Sequence, residues 1–79
     1  MASITDAERA QKLVRQRFGR LPGVHGVGVT WDDRGDAHVR VNVQSDLYER
    51  VSSMIPTEVN GVAVELRSVR GMRSFQNSR

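Results

Sequence analysis

Ala10, Leu13, Val14, Phe18 and Leu21 recur at helical spacing, with Arg9, Lys12, Arg15 and Gln16 mostly between them. Thr5-Asp6-Ala7-Glu8 fits a capping box, in which Thr5 accepts from the Glu8 amide and Glu8 reaches back. Gly19 offers a left-handed terminus, and Pro22 cannot continue a helix. The pattern predicts a first helix over about Asp6 to Phe18. The period then changes to two. From Val24 to Trp31, Val27, Val29 and Trp31 fall on one face of a strand, while Gly26, Gly28 and Thr30 fall on the other. Asp32-Asp33-Arg34-Gly35-Asp36 reads as a polar turn, with a glycine placed for a positive φ and aspartates that bond the turn's own backbone. A second strand follows, with Ala37, Val39, Val41 and Val43 on one side and His38, Arg40, Asn42 and Gln44 on the other.

Ser45 or Asp46 is placed to cap a second helix, in which Leu47, Val51, Met54 and Ile55 share a face and which Pro56 ends. Asn60-Gly61 is a tight-turn dipeptide that launches a last strand. There Val62, Val64 and Leu66 face inward and Glu65 and Arg67 outward. The predicted fold is α+β, a two-layer α-β-β-α-β domain over residues 1–69. Both helices lie on the valine face of a three-stranded sheet, and the opposite face is open. The pattern leaves open whether the last strand pairs with the first or the second. The first strand, being the most apolar, is the preferred centre. Residues 70–79 carry three arginines and no periodicity, and are expected to be a basic, disordered tail.

Val24-His25-Gly26-Val27-Gly28-Val29, the alternating strand, Ile55-Pro56 and Asn60-Gly61-Val62-Ala63-Val64 together resemble a short uncharacterised bacterial domain. That domain has a Val-Gly-Val-Gly strand and an Ile/Leu-Pro…Gly-x-x-Val element. It is similar to segments found ahead of trypsin-like domains in some longer bacterial proteins. The resemblance spans roughly Gly23 to Val69. It implies an accessory or interaction module, not a protease, and supplies no active site to carry over.

Size and charge narrow the function classes. A chain of 79 residues makes one domain with a thin core and little room for a deep cleft. It has no cysteine, so no disulfide or thiolate metal site supplements that core. The net charge is only +3, and the high pI of about 10.6 reflects eleven arginines against one lysine. Met1 to Asp6 lacks the basic and apolar regions of a secretion signal, and no apolar run approaches the ~20 residues of a membrane span. The expectation is a cytoplasmic protein, bacterial or phage-encoded.

Each candidate chemistry meets a structural reading. Gly26 and Gly28 lie inside a strand that leads to a hairpin, whereas phosphate-binding glycine loops open a helix. His25 and His38 are expected about 13 Å apart at ~3.3 Å per residue, too far to share a metal. Arg34-Gly35-Asp36 is a hairpin turn before it is an integrin signal. The aromatics are expected away from the open face, with Phe18 and Trp31 on the core side, so a base-stacking platform is missing.

What remains is the open face itself: Gly26, Gly28, Thr30, His38, Arg40, Asn42 and Arg67, with Gln44 beside them. Small residues there allow another backbone or side chain to approach closely. The leading expectation is a non-catalytic interaction or accessory domain without a cofactor. It would bind a protein partner, or a second copy, through the open face or an edge strand, with the second strand the natural edge. The alternative is a weak nucleic-acid binder using Arg40, Arg67 and the tail arginines Arg70, Arg73 and Arg79. A small enzyme or metal-binding domain comes last, because the domain is thin and no catalytic constellation is present.

Overall fold

Strands two and four lie side by side and parallel in the computed structural model, which describes residues 3–69. The elements run α1 (Ile4–Phe18), β1 (Val24–Trp31), β2 (Ala37–Gln44), a 3₁₀ turn (Ser45–Leu47), α2 (Tyr48–Ser52), β3 (Glu58–Val59) and β4 (Val62–Val69). The class is α+β, with two helices and four strands in the order β1-β2-β4-β3. The tail predicted over 70–79 lies outside the described residues.

Helix α1 begins earlier than the Thr5–Glu8 box predicts. Ser3 is the N-cap, and its hydroxyl accepts from the Asp6 amide at 3.1 Å. Both Ser-x-x-Asp and Thr-x-x-Glu satisfy the capping pattern, and the earlier one adds half a turn of hydrogen bonds. Ala7, Ala10 and Val14 are completely buried along one stripe, with Phe18 and Leu21 packed beside them. The two alanines let the helix backbone sit close to the sheet. Gly19 stays right-handed at φ −64°, and the left-handed residue is Gly23 at φ 95°. A Cβ at Gly23 would come within 2.9 Å of the Leu47 side chain, so the chain crosses tightly there.

The predicted centre of the sheet is wrong. β1 is an edge strand, paired antiparallel with β2 alone, and none of its residues is fully buried. β2 is interior, between β1 and β4, and its side chains alternate strictly between buried and half-buried. Val39, Val41 and Val43 are fully buried and meet Val62 and Val64 of β4 in one core with Val14, Val51 and Ile55. Burial of each such valine contributes roughly 1.5–3 kcal/mol. A sheet with one uncovered face makes its central strand alternate between a buried and a solvated side, so the strict alternation of β2 fits the interior position. β2 is therefore not the free edge expected of it.

The second helix is shorter than its periodicity suggests. Neither Ser45 nor Asp46 caps it; a 3₁₀ turn leads into the five residues of α2 without a side-chain cap. The helix stops at Ser52, before Pro56, and Met54 is half exposed. The chain between Pro56 and Asn60 adds β3, which pairs antiparallel with β4 as Glu58↔Ala63 and Val59↔Val62. Two residues were too few to register as a strand in the hydrophobic pattern. Asn60 at φ 52° and Gly61 at φ 79° make the predicted tight turn, and two positive φ values in succession match the right-handed twist of a hairpin.

Candidate functional site

Alternation along three paired strands puts a continuous set of side chains on the face opposite α1. The register aligns Gly28, Arg40 and Glu65 in one row across the sheet, and Gly26, Asn42 and Arg67 in the next. Thr30 lies across from His38. The residues expected on this face thus fall side by side, with Glu65 added between them. Their burial is partial: His38, Arg40 and Asn42 are half-buried, and Arg67 is exposed. No described element covers this face; the helices contribute Ala7, Ala10, Val14 and Val51 to the core on the other side.

The centre of the face is an ionic cluster. His38 Nε2 donates to Glu65 Oε1 at 2.6 Å, a short charge-assisted bond that fixes the proton on that ring nitrogen, since a carboxylate only accepts. Arg40 Nη2 stands 3.7 Å from Glu65 Oε2, an ion pair without hydrogen-bond geometry. The His38 hydrogen bond is the largest influence on Glu65 and holds its carboxyl below the ordinary value of 4.5, helped by Arg40 and Arg67 and opposed by partial desolvation. Arg40 Nε is shielded from solvent and has no hydrogen-bond partner. The sequence pattern put Glu65 on the outer face but gave no sign of this pairing. It depends on β4 lying parallel beside β2, which the hydrophobic pattern left undecided.

The glycines make the β1 side of the face low. A Cβ placed on Gly28 would meet nothing within 4 Å, and one on Gly26 only Asn42 Nδ2 at 3.8 Å. Neither glycine is needed for a positive φ, so what their absence of side chains provides is space beside Arg40 and Asn42.

The histidines lie at opposite ends of the hairpin. His38 pairs with Thr30, while His25 sits in the irregularity between Val24 and Gly26, across from Asn42 and Val43, four to five residues along, or about 13–16 Å at ~3.3 Å per residue. His25 Nε2 lies 3.3 Å from Gln44 Oε1 instead, and Gln44 Nε2 donates to Asp46. Among the described residues no three His, Cys, Asp or Glu side chains are grouped to hold a metal. Thr30 stands beside His38 without a hydrogen bond joining them.

Of the hairpin's aspartates, Asp32 is the one whose side chain bonds the turn. Asp32 Oδ1 accepts from the amides of Arg34 and Asp36, both at 2.9 Å, and Gly35 takes φ 84°. Trp31 departs from expectation: it lies at the end of the edge strand and is 57% exposed rather than packed in the core. Two hollows, of about 90 and 50 Å³, lie away from the open face. The first is lined by Leu13, Phe18 and Val59 among others, the second by Leu21, Leu47 and Met54. Both are well below the ~300 Å³ of ordinary small-molecule sites; two larger hollows, of about 390 and 430 Å³, are shallow and solvent-open, one lined by Thr5, Glu8 and Lys12 and the other by Arg15, Gln16 and Arg20. Among the described residues no helix is long and apolar enough to cross a membrane.

Comparison with protein-family models, curated proteins and solved structures finds no match for this chain.

Proposed function

We propose that the protein is a non-catalytic interaction domain, working as a cytoplasmic accessory module. It binds a protein partner, or a second copy of itself, through the open sheet face or an exposed sheet edge. The observation that carries this reading is the uncovered face, where Gly26 and Gly28 leave free space beside Arg40, Asn42 and the His38–Glu65 pair. A flat polar surface of this kind suits a partner's backbone or side chains better than a small molecule, which needs enclosure. The resemblance to a short uncharacterised bacterial domain, read from the sequence, would imply the same kind of module.

Filling the glycine floor tests the face. Gly28→Tyr meets no steric obstacle at Cβ and gains strand propensity, so the fold should be retained or stabilised by roughly 0.5–1 kcal/mol. If the face is the site, capture or cross-linking of the partner seen with the wild type is lost in the variant. A chain that shows neither a partner nor self-association at micromolar concentration would remove the reading.

Weak nucleic-acid binding is favoured by one observation, the placement of Arg40 and Arg67 on the same face. Among the described residues no aromatic side chain accompanies them there, so such binding would rest on phosphate contacts and fall steeply with added salt. Absence of DNA or RNA binding at low salt removes this second reading.

A further inference from the structure

We propose that the outer edge of β1 pairs antiparallel with the same edge of a second copy, about a two-fold axis at Thr30. This rests on the interaction-domain reading and names its partner. No described strand pairs with that edge. Edge strands are commonly protected by charges or proline, yet β1 reads Val-His-Gly-Val-Gly-Val-Thr-Trp, without a formal charge.

Hydrogen bonding fixes which groups are free. The Val27 carbonyl accepts from Gln11 Nε2 at 2.9 Å and from Arg15 Nη2 at 3.4 Å, both from α1. It therefore points away from β2, and by the two-residue period so do the backbone groups of Val29 and Trp31. Helix α1 thus closes the edge at Val27 and leaves it open at Val29 and Trp31.

That pattern selects a register. A two-fold centred on Val29 would need the Val27 carbonyl that α1 already holds. Centring on Thr30 sets Val29 against Trp31 of the second copy, twice by symmetry, and uses only free groups. Trp31, 57% exposed, then covers a β-branched neighbour, and the two Thr30 side chains meet in a close non-hydrogen-bonded pair. Beyond Trp31 the same register carries the acidic turn of the second copy, Asp33 included, toward Val27, where the Arg15 guanidinium sits. The charges are complementary, and the contact occurs twice.

The β4 edge lacks this fit. Thr57 already accepts from the Val64 amide there, and the register that clears it within the described strand sets Arg67 against its own copy.

Sedimentation equilibrium of the full chain, over roughly 10–300 μM, tests the pairing. The expected result is a rise from monomer to dimer mass. Emission from the single tryptophan should shift to the blue with the same midpoint. Trp31→Lys alters an exposed side chain and should stay folded but monomeric. Asp33→Arg should weaken the dimer about tenfold, and adding Arg15→Asp should restore it by exchanging the two charges. A monomeric mass throughout, or dimerisation of Trp31→Lys equal to the wild type, overturns the proposal. So does a monomer whose Val29 and Trp31 amides are protected from exchange at every concentration, since residues 70–79 or another segment would then fill the edge. A monomer that still binds a partner sensitive to Gly28→Tyr sinks this pairing and leaves the interaction-domain reading standing.

Discussion

Asp32 and Glu65 are the two carboxyl groups that the fold sets apart from ordinary ones, and each is lowered by a hydrogen bond. For Asp32 the largest cause is the Asp36 amide, with the Arg34 amide assisting; for Glu65 it is the His38 ring. A folded pKa below the unfolded one means stability that is present above the unfolded value and is lost as pH falls through the folded value. The ordinary values are 3.8 and 4.5, so the loss begins near pH 4.5 and continues below 3.8. Melting temperature should accordingly fall as the pH drops below about 4.5. Glu65→Gln should remove part of this acid limb at a neutral-pH cost within the ~0–1 kcal/mol of part-exposed pairs. An acid limb of unchanged slope in both Glu65→Gln and Asp32→Asn would contradict these assignments. The Asp32 role was readable in the sequence, because an aspartate opening a short polar turn has its own backbone within reach. The Glu65 role was not, since its partners lie 25 and 27 positions away along the chain, at Arg40 and His38.

At the scale of elements, periodicity identified α1, β1, β2 and β4 and which face of each is apolar. It misplaced what periodicity does not encode. The start of α1 illustrates this: two overlapping capping patterns fit, and only the backbone decides between them. Ser3→Ala should destabilise the domain by about 1 kcal/mol, while Thr5→Ala should change it by less than about 0.5 kcal/mol. Chemical denaturation of the two variants distinguishes them, and the reverse order would return the cap to Thr5. The two residues of β3 carry too little pattern to see, although the Asn60-Gly61 turn that implies a strand on either side was visible. The short α2 was overextended because Leu47 and Ile55 keep helical spacing while lying outside the helix. Trp31 was assigned inward by alternation alone. At the end of an edge strand the correct face has nothing above it.

For the whole molecule, strand order decides the function that can be argued. With β1 at the centre, the glycines would have formed the middle of the open face and β2 a free edge. With β2 at the centre, the His38–Glu65–Arg40 cluster occupies the middle of the open face, and β1 carries its apolar residues to the rim. Hydrophobic content alone favoured the wrong centre, because an apolar strand looks interior. The alternation of β2 was the better indicator, since a central strand with one face in water must alternate. Both surfaces available for partners, the glycine-floored face and the β1 edge, follow from that order.

Residue-resolved amide exchange at low and high protein concentration, with and without a binding partner, tests this account most directly. It predicts that β2 amides are the slowest to exchange under every condition, and that protection at Val29 and Trp31 rises with concentration. Partner binding should add protection at Gly26 and Gly28. If β2 exchanges as fast as an edge strand, or if β1 shows no change with concentration or partner, the arrangement of surfaces proposed for this domain is contradicted.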